Sequence, residues 1–153
     1  MRWPRTGNAD TIHVVLILLL AAWILQGCAS VPLATPGLDQ DAKRFHPPVN
    51  QAHLYIVQGY RSGIFQILLD GKLLGAVGRY TYLMAIVPPG EHMLTCITAE
   101  NQVNLPFRVR AGRNYFVRVF AKLGWSVARV GMEPISEEEG REAVLGAARA
   151  AGL

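Results

Sequence analysis

Two short turn sequences, Asp70-Gly71 and Pro88-Pro89-Gly90-Glu91, limit what this chain can fold into more than any other feature. An Asp-Gly pair between two apolar runs calls for positive φ at both positions, and the resulting type I′ turn matches the twist of paired antiparallel strands. The flanking runs, residues 64–69 and 72–77, are therefore expected to form a hairpin. In the second turn Pro89 presets φ at the second position and Gly90 accepts positive φ at the third, as a type II turn requires. It is expected to join residues 80–87 to residues 92–98 as a second hairpin, with Leu94 and Cys96 facing inward. Residues 52–57 are rich in β-branched and aromatic side chains, and further strands are expected over 103–110, 115–120 and 125–130. Residues 103–110 alternate, with Val103, Leu105, Phe107 and Val109 on one face and Asn104, Arg108 and Arg110 on the other.

The carboxy end changes period. Ser136-Glu137-Glu138-Glu139 is a capping box, in which Ser136 accepts from the backbone of Glu139 and Glu139 reaches back. Three glutamates also suit the positive end of a helix. Gly140, Val144, Ala147 and Ala151 supply a thin apolar stripe able to lie on a sheet, although Gly140 and Gly146 weaken the helix in isolation. Short strands separated by turns, then one helix, predict an all-β fold: an antiparallel sandwich of about seven strands with one carboxy-terminal α-helix.

Ahead of this domain, residues 14–25 run apolar without a charge, behind Arg2 and Arg5, and lead into Gln26-Gly27-Cys28. As a helix the run is about 18 Å long, short of the ~30 Å hydrocarbon core of a bilayer, so it reads as a secretory signal. Leu25-Gln26-Gly27-Cys28 resembles the lipobox of bacterial lipoproteins. There the cysteine sulfur receives a diacylglycerol, the chain is cut before the cysteine, and the new amino group is acylated. The resemblance implies cleavage between Gly27 and Cys28, lipidation of Cys28 and a membrane as partner, with no cofactor beyond the covalent lipid. An ordinary cleaved signal with an incidental cysteine, or an uncleaved anchor, are the alternatives. Ala29 is not the aspartate associated with inner-membrane retention, so the outer membrane, facing the periplasm, is the expected location.

Residues 1–27 are then a signal peptide, 28–50 a lipidated cysteine with a flexible tether, and 51–153 the sandwich with its helix. The tether expectation rests on Pro32, Pro36, Gly37, Pro47 and Pro48 and on the lack of any sustained period. Fully extended at ~3.1 Å per residue, it would reach up to ~70 Å from the bilayer. Docking of Phe45-His46-Pro47-Pro48 on the domain would shorten that reach.

The ordered pieces Ala52-x-Leu54-Tyr55-Ile56, Leu69-Asp70-Gly71-Lys72-x-x-Gly75, Tyr82-x-x-x-Ile86-x-Pro88-Pro89-Gly90-x-His92-x-Leu94, Gly112-x-x-Tyr115-Phe116-Val117-Arg118 and Glu138-Glu139-Gly140-Arg141 carry a further likeness. Over residues ~50–145 the chain resembles the domain of unknown function 2846, a family made up largely of bacterial lipoproteins. The two turn motifs are also similar to PEGA-type sandwich modules of cell envelopes. The resemblance implies an Ig-like or PEGA-like sandwich in the envelope. It carries no activity, so no residue inherits a catalytic role.

Charge and composition narrow the function classes. Of 15 basic and 11 acidic side chains the leader holds Arg2, Arg5 and Asp10, leaving 13 and 10, a mild +3 that argues for no nucleic-acid partner. With Cys28 lipidated, Cys96 lacks an intramolecular partner, and stability must come from packing rather than a disulfide. Nucleophilic catalysis needs a hydroxyl or thiol beside an oriented base. No Gly-x-Ser-x-Gly elbow exists, Ser62, Ser126 and Ser136 have no local partner pattern, and Glu137, Glu138 and Glu139 are explained by the helix start. His92 and Cys96 share a strand face but sit about 13 Å apart, too far for one zinc. Cys96 is expected in the core as a small hydrophobe. No catalytic or metal residue is therefore assigned, and the chain is not expected to be an enzyme.

Binding is the second hypothesis. Between residues 101 and 132 six basic side chains occur and no acid. Arg108, Arg110 and Arg118 could meet phosphates of lipid or cell-wall polymers, and Tyr60, Tyr80, Tyr82 and Trp125 could offer aromatic surface to glycans. The plainer alternative is that the tyrosines fill the interior and the arginines keep an exposed sheet face soluble. The expected function is thus a lipid-anchored envelope protein with a non-catalytic structural or protein-binding sandwich, partnered by envelope proteins or cell-wall polymers. A periplasmic glycan- or anionic-polymer-binding module is the alternative, and an enzyme with an unrecognised site ranks third.

Overall fold

Strand β1 (Ala52–Gln58) is buried at all seven positions, which requires that both of its faces be covered. Its inward side chains Ala52, Leu54 and Ile56 belong to a core between two sheets, while Tyr55 and Val57 face a second core beneath helices. The computed structural model describes His13 and residues 30–59, 63–98, 101–122 and 129–152. Among the described residues the strands after β1 are β2 (Phe65–Leu69), β3 (Lys72–Val77), β4 (Thr81–Val87), β5 (Gly90–Ile97), β6 (Gln102–Val109), β7 (Asn114–Lys122), β8 (Arg129–Ile135) and β9 (Ala148–Arg149). One sheet has the order β8-β7-β1-β4-β9 and the other β3-β2-β5-β6. The fold is the expected all-β sandwich with a carboxy-terminal helix.

The Asp70-Gly71 hairpin forms as expected. β2 pairs antiparallel with β3, Leu69 stands opposite Lys72, and both turn residues have positive φ, 51° and 78°. The second hairpin does not form. β4 pairs with β1 in the five-stranded sheet, whereas β5 pairs with β2 and β6 in the four-stranded one. Pro88 and Pro89 have no N–H to offer a ladder, and their fixed φ keeps the chain extended, so it crosses from one sheet to the other. Gly90 does have positive φ, at 145°, but it opens β5 opposite Val109 instead of closing a turn. Leu94 and Cys96 face inward and are fully buried, as expected.

Three further expectations need correction. The sandwich is not wholly antiparallel: β1 runs parallel to β7, and β4 runs parallel to β9. A parallel pair needs a long crossover, and for β1 and β7 the excursion through the second sheet supplies it. The last long strand among the described residues, Arg129–Ile135, continues past the expected end at 130, while 125–128 of that expectation lie outside the described residues. It contains Pro134, which is tolerated because β8 is an edge strand. The third correction concerns the flexible tether expected over 28–50, which is packed onto the sandwich from Val31 onward. Val31 joins the inter-sheet core, Leu33 bridges Ala150, and the Ala34 and Ala151 amides donate to the carbonyls of Arg149 and Pro32 at 2.9 and 2.8 Å.

Helix α1 (Pro36–Ala42) follows, with proline in its first turn, and helix α2 (Glu137–Leu145) begins at the Ser136 cap. The Ser136 hydroxyl accepts from the Glu139 amide at 3.2 Å. α2 ends at Leu145, so Ala151 is not on its stripe, whereas Gly140 and Val144 are buried within it. Both helices cover the outer face of the five-stranded sheet, closing a core that includes Ala42, Phe45, Tyr55, Tyr82, Phe116 and Val144. Tyr55 and Phe116 stack with ring centres 5.0 Å apart, and Phe45 packs against both. Burial of each such large side chain contributes about 1.5–3 kcal/mol. Two buried tyrosines anchor α1 through their hydroxyls: Tyr55 donates to the Ala42 carbonyl at 2.7 Å and Tyr82 to Asp39 Oδ1 at 2.8 Å.

Candidate functional site

The two turn motifs are separate in sequence and joined in space. Asp70 Oδ2 lies 2.7 Å from His92 Nδ1, and Nε2 of the same ring lies 2.9 Å from the Pro88 carbonyl. Both ring nitrogens face acceptors, an arrangement that favours the protonated imidazole, which alone can donate from both. Partial burial pulls the His92 pKa down, but the bonds to Asp70 and to the Pro88 carbonyl outweigh it and the net shift is upward. Asp70 is held below the usual carboxylate range by the Met93 amide, which donates to Oδ1 at 2.9 Å, and by His92. An aspartate orienting a histidine is part of a hydrolytic triad, but there Nε2 must face a nucleophile. Here Pro88 occupies it. The pair is a clamp that ties the β2–β3 turn to the crossover between the sheets.

A cleft of about 580 Å³ lies between α2 and the end of β1 and β7. β7 alternates, so Val117 and Val119 enter the inter-sheet core while Arg118 projects under α2. The Arg118 guanidinium donates to Glu139 and approaches Glu133 Oε1 at 3.5 Å. Glu139, expected to reach back to its own helix start, is drawn to Arg118 instead. Tyr80, Phe120, Ala143 and Ala147 supply apolar lining. The arrangement is a shallow apolar cleft whose cation is matched by carboxylates, with no nucleophile–base pair among its described lining residues.

The arginines expected to form one binding surface are not brought together. Arg108 is exposed on β6, beside Glu91 at 3.6 Å, in the four-stranded sheet. Arg110 follows that strand, and its amide donates to the Tyr115 hydroxyl at 2.8 Å. Arg118 belongs to the other sheet, on the face covered by α2. Tyr82, expected as glycan-contacting surface, is fully buried, while Tyr80 is half exposed. Gly27, Cys28, Tyr60 and Trp125 lie outside the described residues. Cys96 is buried and its thiol pKa is pushed up to about 12 by burial, the state of an inert core thiol. Among the described residues no group of three His, Cys, Asp or Glu side chains could hold a metal ion, and no helix is long and apolar enough to cross a membrane.

A second groove, of about 790 Å³, opens where the chain enters the domain. Ser30, Val31 and Leu33 form one wall, Gly63 and Ile64 before β2 another, and Gly78 to Thr81 between β3 and β4 the third. The sequence reading missed this groove and α1. For α1 the signal was present: Thr35-Pro36 with Asp39 in the following turn is a helix start. For the groove none existed, since its lining comes from four distant segments, Ala148 of β9 being the fourth.

No family model matches the chain. It is 29% identical over 130 residues to an uncharacterized protein of Haemophilus influenzae, an alignment covering 80% of this chain and 76% of that relative.

Proposed function

We propose that this chain is a lipid-anchored protein of the bacterial cell envelope, in the outer membrane facing the periplasm, whose sandwich is structural or protein-binding and non-catalytic. The observation that carries the proposal is the short charge-free run ending on Leu25-Gln26-Gly27-Cys28, followed within three residues by the packed Val31. The turn motifs and their resemblance to the domain of unknown function 2846 support it, and so does a relative in a bacterium. The carboxylates paired with Arg108 and Arg118 weigh against an anionic-polymer site on those arginines.

Replacing Cys28 by alanine is expected to abolish incorporation of a palmitate analogue and to release the protein from the membrane fraction. Two or more acyl chains give stable anchoring, whereas one is marginal. Incorporation that persists in the alanine variant would sink the proposal.

A further inference from the structure

Three features of the second groove converge. It is apolar and open: Leu33, Ile64 and Tyr80 are 58, 43 and 50% exposed around it. The Arg79 guanidinium lies 5.1 Å from the centre of the Tyr80 ring, placing a cation beside an amphipathic aromatic. Its wall includes Ser30, so only Ala29 separates the groove from Cys28. Two Cα–Cα steps span at most about 7 Å. The headgroup layer of a bilayer is itself roughly 5–8 Å thick on each side of the hydrocarbon.

We infer that this groove, at the end of the sandwich where β2 begins, β3 ends and β4 begins, is the face by which the domain rests on the headgroup layer of the membrane carrying the Cys28 lipid. The inference rests on the proposed lipidation of Cys28 and deepens it by giving the domain an orientation. With Val31 packed in the core and Leu33 bridged to Ala150, the packed chain begins within three residues of Cys28. A freely swinging domain would need a long tether, whereas the chain is packed on the sandwich from Val31 onward. Tyr80 and Arg79 have the character of residues that settle at a membrane–water interface, an apolar body with a polar or charged tip. Ala111, just beyond β6, lies at the opposite end of the sandwich: the neighbouring Gly112 amide donates to the Gln51 carbonyl, ahead of β1, whereas the far end of β1 meets Thr81. The length of β1 separates the two ends by about 20 Å.

The full chain, processed in cells and purified, provides the test. Leu33→Cys, Ile64→Cys and Ala111→Cys variants are labelled with an environment-sensitive fluorophore and reconstituted into vesicles of phosphatidylethanolamine and phosphatidylglycerol containing a headgroup nitroxide lipid. Cys96 is buried and Cys28 carries the lipid, so neither competes for label. Mass spectrometry of the same samples reads the lipid on Cys28. Labels at 33 and 64 are expected to be quenched several-fold more than the label at 111. Inserting a long Gly/Ser segment between Ala29 and Ser30 is expected to reduce that contrast. Lipidated protein with equal quenching at all three positions would overturn the inference and leave the anchor standing. Protein without lipid on Cys28 would overturn both.

Discussion

Gly140 decides whether α2 can lie on the sheet, and replacing it by alanine puts two magnitudes in opposition. A Cβ built at this position would fall within 2.5 Å of Phe116 Cγ, Cδ1 and Cβ. Ordinary carbon–carbon contact is about 3.5–4.0 Å, so α2 must withdraw by more than about 1 Å or the ring must turn. The ring is not free to do so, because Phe116 is stacked on Tyr55 and flanked by Phe45. Helix propensity favours alanine by about 1 kcal/mol. Overpacking of a close-packed contact costs about 1–3 kcal/mol, and withdrawal of the helix also exposes Val144. The clash is expected to win, with a melting temperature several degrees below wild type. Gly146, the C-cap of the same helix, is the control: its φ is −82° and a Cβ there would meet nothing nearer than the Glu142 carbonyl at 3.7 Å. Gly146→Ala should be neutral or stabilising by up to about 1 kcal/mol. Removing the ring, Phe116→Ala in the Gly140→Ala background, should cost less than Phe116→Ala alone, because the two nearest clashing atoms, Cγ and Cδ1, go with it. Calorimetry showing Gly140→Ala at or above the wild-type melting temperature would refute the close packing of helix on sheet.

The Asp70–His92 clamp should stabilise fully between the ordinary aspartate and histidine values, roughly pH 4 to 6.5. The raised His92 pKa makes its share fade as pH rises through the folded value, and the lowered Asp70 pKa makes its share fade in acid. Asp70→Asn should bring the His92 NMR titration down and flatten the melting temperature above pH ~6.5; an unchanged titration would break the assignment. Asp39 Oδ1 accepts from the Tyr82 hydroxyl and from the Arg149 amide at 3.0 Å, so Asp39→Ala leaves the Arg149 amide unmatched and the buried Tyr82 hydroxyl with only the Asp39 carbonyl at 3.4 Å. The urea midpoint should fall by an amount worth about 1–3 kcal/mol, with faster hydrogen exchange at Arg149. Finally, Cys96 should not react with a soluble disulfide reagent until the protein is unfolded, and prompt reaction in the native state would contradict its placement.

What the sequence determined by itself is local. The Asp-Gly turn needs only two residues with positive φ, the alternation from 103 to 110 needs only one wet face, and the Ser136 cap needs only the next turn of helix. Each is set by atoms within a few residues, so each was legible. Strand partnership is not local. Pro88-Pro89-Gly90 reads equally well as a tight turn or as a crossover, and the choice depends on β1 and β9 taking the two edges of β4 that β5 would otherwise have met. The same holds for residues 30–50: prolines and mixed charges suggest a tether, yet Tyr55, Tyr82 and Phe116 present an apolar outer face that α1 and Phe45 cover. Burial on both sides of β1 follows from that cover and could not be seen in β1 alone. Asp70 was legible as a turn former and His92 as a strand residue, but their contact depends on β2 lying beside β5. Side chains distant along the chain become neighbours only when the sheets assemble, because the apolar area that drives assembly is non-directional and leaves partner choice to packing.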